Sequence, residues 1–228
     1  MVALNSTAGV LFGGDGGGTT NKFNDVHMIN LVTGEWVRVP TTGTPPSARS
    51  GHSAVGWIDP TTHSPKMTVF GGMDGVASYK NDVHTLDLAT GTWSGAEYPA
   101  VSTPGAPPNA RAGHSAVSWI DPITKWPKMT VFGGEGDGLV KKNDVHTLDL
   151  VTGNWSEVTT SAGMPPSARA YHSAVHWVDS ATNVTVPKMT VFGGLEQGTT
   201  FPTDVNTLNL ATGAWSEAIT SGTLPGGR

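Results

Sequence analysis

The chain has 228 residues, with 13 Lys+Arg against 18 Asp+Glu, a net charge of −5 and no cysteine. Disulfides, thiolate metal sites, iron–sulfur clusters and a cysteine nucleophile are therefore excluded. No basic stripe suits nucleic acid, and no run approaches the roughly 18 apolar residues that span a membrane. The opening "MVALNSTAGVLFGG" lacks a charged first region and is broken by polar residues and glycine, so it does not read as a secretory signal. A cysteine-free chain fits a reducing compartment, which makes an intracellular setting the expectation. Only 14% of residues are charged, and Thr, Ser, Gly and Val fill the difference, a composition that favours strands and turns.

Taken in chain order, "MVAL" (Met1–Leu4) and "GVLFGG" open the first unit. The second unit shows all its parts. "PPSAR" leads into "GHSAVGWID" (Gly51–Asp59), an apolar, β-branched strand closed by Asp-Pro. "KMTVFGG" (Lys66–Gly72) is a second strand, with glycines where the backbone turns or approaches a neighbour. "DVHTLDL" (Asp82–Leu88) has the alternation of a third, and "TWSGAEY" (Thr92–Tyr98) is a fourth. "ATG" between the last two marks a tight hairpin with glycine at positive φ. The lead-in returns as "PPNARAGHSAVSW" at Pro107 and "PPSARAYHSAVHW" at Pro165.

The repeat is fixed by three anchors. "FGG" begins at Phe12, Phe70, Phe132 and Phe192. An Asp-Val pair follows at Asp25, Asp82, Asp144 and Asp204. A tryptophan follows each at Trp36, Trp93, Trp155 and Trp215. A four-stranded sheet of this size buries too little alone, so copies must stack face to face, and a twisted sheet repeated about an axis gives a propeller. The recurring Trp is then a wedge between neighbouring sheets.

"RSGHSAV", "KMTVFGG" and "NDVHTLDLATGTW" together resemble the kelch repeat, which is marked by a double glycine ending the second strand and a Trp opening the fourth. The resemblance covers essentially the whole chain. Leu86, Leu148 and Leu208 stand where many kelch repeats have tyrosine. The expected fold is an all-β propeller of four kelch-like four-stranded blades, a single domain over 1–228 with approximate blades 1–44, 45–106, 107–164 and 165–228. The tail "TLPGGR" matches the lead-in of a further blade. A closed four-bladed ring, part of a larger ring, and an open half that pairs with a second copy remain open as alternatives.

Arg49, Arg111 and Arg169 precede the innermost strand. The kelch resemblance implies arginines rimming a channel mouth and gripping acidic ligands, whereas the structural reading is a brace to an adjacent blade. His52, His114 and His172 start the inner strand and are weak candidates for a metal set, against a role as repeat-encoded braces. His27, His84 and His146 on the third strand read as structural. The loops after the double glycine differ most between copies, as binding loops do, and offer Tyr79, Lys80, Lys141, Lys142 and Phe201 as partner contacts. "GGDGGG" is followed by no helix start and so is no phosphate loop. "EGDG" lacks the ligand count of a calcium loop, and no Gly-x-Ser-x-Gly elbow occurs. The copper oxidases among kelch-like propellers need a cysteine, and the carboxylate–histidine iron site of plant specifier proteins has no match here.

The expected function is thus a non-catalytic scaffold binding a protein or peptide through one loop face, without cofactor, nucleic acid or membrane. The alternatives are a small-ligand or metal-dependent site at the channel mouth, and an architectural module that self-associates through its terminal blades.

Overall fold

The computed structural model describes residues 2–3, 6–17, 21–75, 78–94, 105, 107–180, 185–223 and 225–227. Sheet 1 is built from β1 (Val2–Ala3), β2 (Ala8–Asp15), β3 (Lys22–Asn30) and β4 (Trp36–Arg38). Next comes β5 (Thr42–Gly43), followed by sheet 2 with β6 (Ser53–Ile58), β7 (Pro65–Met73), β8 (Tyr79–Asp87) and β9 (Thr92–Ser94). Sheet 3 holds β10 (Ser115–Ile120) and β11 (Pro127–Phe132). A small hairpin, β12 (Glu135–Gly136) and β13 (Val140–Lys141), follows around a 3-10 turn at Asp137–Leu139. β14 (Val145–Asp149) and β15 (Trp155–Glu157) complete that sheet. β16 (Arg169–Ala170) precedes sheet 4, which has β17 (Ser173–Asp179), β18 (Val186–Phe192), β20 (Val205–Asn209) and β21 (Trp215–Glu217). β19 (Leu195–Glu196) lies in the loop of sheet 4 and pairs with β16.

The four main strands of each sheet run antiparallel in simple sequence order, and β5 joins sheet 2 beyond β9. The fold divides into two compact units: residues 1–101 with 109–112, and residues 102–108 with 113–228. Each unit has its own core, formed where two sheets meet. In the first, Val10, Phe12 and Val26 of sheet 1 pack on Met67, Val69, Leu86 and Trp93 of sheet 2. In the second, Val117, Trp119, Phe132 and Val145 of sheet 3 pack on Met189, Val191, Leu208 and Trp215 of sheet 4. The tryptophan wedge expected from the sequence is present in both. Phe12 meets Trp93 edge-on at 5.3 Å between ring centroids, and Phe132 meets Trp215 in the same way at 5.3 Å.

Several local expectations are refined by the structure. Strand three of sheet 2 starts at Tyr79, three residues before the Asp-Val pair, and strand four is described only over Thr92–Ser94, so the rest of "TWSGAEY" lies outside the described residues. "MVAL" does supply an inner strand, but Val2 pairs with Val10 as Val55 pairs with Thr68, so it matches the later part of the "HSAV" strand. The "LATG" hairpin is a four-residue loop opened by Asp87, whose Oδ1 accepts hydrogen bonds from the Ala89 and Thr90 amides, while the Gly91 amide donates to the Asp87 carbonyl at 2.9 Å. The double glycine is a bulge: pairing of β7 with β8 shifts between Phe70 and Gly72, and Gly72 has φ 95°. A methyl group on Gly72 would meet His52 and the Ser50 carbonyl at 2.8–2.9 Å, so the glycine lets the inner strand's entry lie close.

A hydrogen-bonded relay recurs in sheets 2, 3 and 4. Trp57 Nε1 donates to Thr68 Oγ1, which shares a hydrogen bond with Thr85 Oγ1, both at 2.9 Å. Trp119, Thr130 and Thr147 repeat it, as do Trp177, Thr190 and Thr207. In these three sheets the relay pairs the threonine hydroxyls and the indole N–H with one another.

The segment before each proline pair belongs to the sheet that follows it. β5 pairs in parallel with β9 at the outer edge of sheet 2, with Thr42 opposite Thr92 and Gly43 opposite Trp93. Ala162 bridges Ala214 in the same parallel sense at the edge of sheet 4. Gly105 lies against the Trp155 backbone of sheet 3. From this edge the leader runs to an arginine six residues after its glycine: Arg49, Arg111 and Arg169.

Candidate functional site

The three leader arginines lie inside the protein, at 1%, 0% and 0% exposure for Arg49, Arg111 and Arg169. Arg49 grips Asp82 with both terminal nitrogens, at 2.6 and 2.8 Å, and also donates to the Gly71 carbonyl. Arg169 does the same to Asp204, at 2.7 and 2.8 Å, and donates to the Gly193 carbonyl. In each case Nε donates to the carbonyl two residues back, as Arg111 Nε does to Asn109. The fork–fork geometry saturates the guanidinium groups of Arg49 and Arg169. Burial raises the Asp82 pKa, but the hydrogen bonds from Arg49 and His84 and the Arg49 charge outweigh it and hold this carboxyl far below its usual range. Asp204 is lowered likewise by Arg169, against burial.

Arginines with this geometry do not form an exposed rim for acidic ligands. Their backbones also belong to the architecture. The Arg49 amide donates to the Phe23 carbonyl of sheet 1 and its carbonyl accepts from Gly14, while its side chain serves sheet 2. Arg169 joins sheet 3, through Lys142 and Gly134, to sheet 4 in the same manner. Asp82 and Asp204, from the "DV" pairs of sheets 2 and 4, are the carboxylates that the structural reading of the arginines left unnamed, and they lie in the arginine's own sheet. Their near-constant distance after the arginine, 33 residues for Asp82 and 35 for Asp204, is the signal that carries them.

The third-strand histidines orient those carboxylates: His27 on Asp25 at 2.9 Å, His84 on Asp82 at 2.9 Å and His146 on Asp144 at 3.0 Å, with Asn206 taking the place on Asp204. The inner-strand histidines pack on the phenylalanine of the preceding sheet, His52 on Phe12 at 5.3 Å and His172 on Phe132 at 5.1 Å. Burial, with the nearby arginine charge, pushes both His52 and His172 down to about 4, so both are neutral near pH 7. His172 Nε2 shares a 2.7 Å hydrogen bond with Ser115 Oγ of sheet 3. Its Nδ1 is buried without a partner among the described residues, so the pair lacks the carboxylate that orients a hydrolytic triad. Among the described residues no three His, Asp or Glu side chains are gathered as a metal set.

The loop residues fare differently. In the first unit, Tyr79 and Lys80 are half-buried, and Lys80 is paired with Asp74 at 2.8 Å. In the second unit, a cluster forms that the repeat does not dictate. The β12–β13 hairpin buries Glu135, which pairs with Lys141 inside the same hairpin. Tyr171 donates its hydroxyl to Glu135 Oε1 at 2.5 Å, and the Lys141 ammonium stands 5.8 Å from the Tyr171 ring centroid. The Lys141 amide reaches Gln197 Oε1 at 3.3 Å, tying the hairpin to the sheet 4 loop that carries Phe201. Exposed around this anchor are Leu139 (60%), Val140 (54%), Tyr171 (56%) and Phe201 (49%). Lys142 is half-buried and has no carboxylate partner among the described residues.

Tyr171 occupies a position held by glycine in the other leaders. Gly51, Gly113 and Tyr171 all have left-handed backbones, with φ of 65°, 64° and 60°. A bulky residue there costs about 1–3 kcal/mol, and the repeat offers glycine as the unstrained choice. Tyr171 also lies against Gly113, whose carbonyl accepts its amide at 2.7 Å. The sequence carried the signal as "RAYH" against "RSGH" and "RAGH".

Four four-stranded antiparallel sheets with double glycines after the second strand, edge-capping leaders on sheets 2, 3 and 4, and tryptophan wedges at Trp93 and Trp215 define a β-propeller fold. The chain belongs to the kelch-repeat family, since the KLHDC2/KLHL20/DRC7 Kelch-repeats domain matches residues 1–228. Among curated relatives, Acyl-CoA-binding domain-containing protein 4 of Arabidopsis thaliana is 30% identical over 226 residues, covering 94% of this chain and 30% of that protein. Human Host cell factor 2 is 30% identical over 222 residues, 92% of this chain and 26% of that protein. The chain thus spans under a third of the length of these two relatives. Among solved structures, YjhT aligns with a TM-score of 0.54 at 17% identity, over 94% of this chain and 82% of that one, a likeness of fold.

Proposed function

We propose that the protein is a non-catalytic scaffold whose loop face binds an extended segment of a partner protein. The contact patch is the β12–β13 hairpin, Tyr171 and the loop bearing Phe201. The observation that carries this reading is Tyr171. A strained aromatic replaces the repeat's glycine, is held by buried Glu135 and Lys141, and remains 56% exposed among apolar neighbours. Rigid, pre-positioned aromatics of this kind are the usual anchors of protein interfaces. Matching as a fraction of much longer relatives is also what a docking module would show. The patch suits a segment with an aliphatic or aromatic side chain for Leu139, Val140 and Tyr171, and a carboxylate for Lys142. Tyr79 and Lys80 are candidate contacts of the first unit by itself, while the leader arginines act by holding the loops in place.

The test is selection from a displayed random peptide library on the immobilised protein. Enriched peptides should pair an acidic residue with a large apolar one. Leu139→Ser and Lys142→Glu should each weaken their binding at least tenfold while leaving the circular dichroism spectrum unchanged. Peptides that bind these variants as well as the native chain would overturn the patch.

A further inference from the structure

Sheets 3 and 4 of the second unit leave a cavity of about 300 Å³ between them. Every residue that lines it belongs to this unit. Ile120, Pro122 and Lys125 come from the end of β10 and the turn after it, and His176, Val178 and Pro187 come from β17 and β18. The cavity lies at the opposite end of the strands from the β12–β13 hairpin, since β11 runs from this turn to the double glycine that precedes the hairpin.

The repeat does not dictate this lining. His176 pairs with Met189 in the register that Gly56 holds with Met67 and Ser118 with Met129. Lys125 stands in "DPITKWP", where the sheet 2 turn "DPTTHSP" has His63. Both turns put that residue in a left-handed backbone, with φ of 63° and 57°. Asp121 closes the Lys125 turn. Its Oδ1 accepts from the Ile123 and Thr124 amides at 2.8 and 3.3 Å, and its carbonyl accepts from the Lys125 amide at 2.9 Å. The turn therefore fixes the point from which the Lys125 side chain leaves.

The charges at this end are unequal. Lys128 is compensated by Asp149 at 2.6 Å, and Lys188 by Asp179 at 2.7 Å. Lys125 has no carboxylate partner among the described residues, and its ammonium donates to the Pro122 carbonyl, a neutral acceptor, at 2.7 Å. Burial lowers the His176 pKa, so this ring is neutral at pH 7 and adds a hydrogen-bonding nitrogen to the wall without a second charge. An apolar cavity with one uncompensated cation and one polar group on its wall has the make-up of a small-ligand site.

We propose that the second unit binds a small apolar monocarboxylic acid in this cavity. The ring or short chain of the acid packs on Ile120, Pro122, Val178 and Pro187. Its carboxylate pairs with Lys125, and His176 offers it a hydrogen bond. Ligand sites span about 300–1,000 Å³, so a cavity at the small end of that range suits a single aryl ring or a short aliphatic chain. Asp121 and Asp179, each next in sequence to a lining residue, oppose a second negative charge and so select a monoacid. The site shares no residue with the loop patch and stands whether or not that patch binds a peptide.

The test titrates phenylacetate into the whole chain and follows backbone amide resonances by two-dimensional NMR. Saturable shifts should gather at Ile120, Lys125 and Val178. Phenylacetamide, the uncharged counterpart, should bind at least tenfold more weakly. Lys125→Met should bring the acid down to the affinity of the amide. Val178→Trp, at a half-exposed position, should fill the cavity and abolish binding of both, with an unchanged circular dichroism spectrum. Lys125 lies on an exposed turn, so its variant keeps the fold and carries the test even where Val178→Trp perturbs the sheet. Shifts that never saturate, equal affinity of the native chain for acid and amide, or a Lys125→Met variant that still prefers the acid would each overturn the proposal. So would a folded Val178→Trp variant that binds the acid as the native chain does.

Discussion

Sheets 1 and 2 are built from the same parts and end differently. Both carry the sequence Thr-Gly-x-Trp into the outer strand, and both place an Asp-Val pair at the third strand. In sheet 2, β5 covers the outer edge, Trp93 is buried to 2% and Asp82 is held by Arg49. In sheet 1, Trp36 is half exposed, and among the described residues no leader covers the edge and Asp25 is paired with His27 but with no arginine. The same side chains are therefore core in one place and surface in another, according to whether a leader lies across them. The leader is the component that turns a sheet edge into interior.

Substitutions at matched positions sharpen this contrast. Trp93→Ala should cost about 4 kcal/mol, because a large buried ring leaves a cavity, while Trp36→Ala should cost about 1 kcal/mol or less in the isolated chain. Chemical denaturation monitored by circular dichroism measures both, and equal losses would refute the difference. Arg49→Ala should cost about 3 kcal/mol, since it strips Asp82 of its buried partner, whereas Asp25→Asn should cost about 0.5 kcal/mol in the same assay. Acidification tests the buried histidines. The His52 pKa is pushed down to about 4 in the folded chain by burial and the Arg49 charge, against about 6.5 unfolded. The unfolded chain takes up protons first, so this contribution is intact above about pH 6.5 and is lost as pH falls towards 4. By pH 5.5 the loss is about 1 kcal/mol for His52. His172 adds a similar amount, and His52→Gln should remove one share of the slope between pH 7 and 5.5.

Most of the fold was legible in the chain because the repeat states it four times. The strands, the double-glycine bulge and the tryptophan wedge each rest on local chemistry: β-branched alternation, a residue with no side chain at a close approach, and a large apolar body. The site was less legible, for two reasons. Arg49, Arg111 and Arg169 could be read either as a binding rim or as braces, and the carboxylates that hold two of them sit 33 and 35 residues further along the chain. The leader's pairing with the outer strand was hidden because Thr42-Gly43 and Ala162-Gly163 are short and unremarkable as sequences. They become strands only through tertiary contact. Tyr171, by contrast, was visible as a break in the repeat. Its meaning required the backbone angle and the buried Glu135 beside it.

The double service of the leader arginine bears on how the protein comes apart. The Arg49 main chain is hydrogen-bonded to sheet 1 while its side chain is locked into sheet 2, and Arg169 links sheets 3 and 4 in the same way. A sheet that opens withdraws the main-chain anchor of the next arginine and leaves a charge inside its neighbour. Melting should consequently pass between the two sheets of a unit, beginning in the first unit at sheet 1, whose outer edge has no leader among the described residues. Hydrogen exchange would register this as early loss of protection in β4, with β9 and β21 following together with their partner sheets.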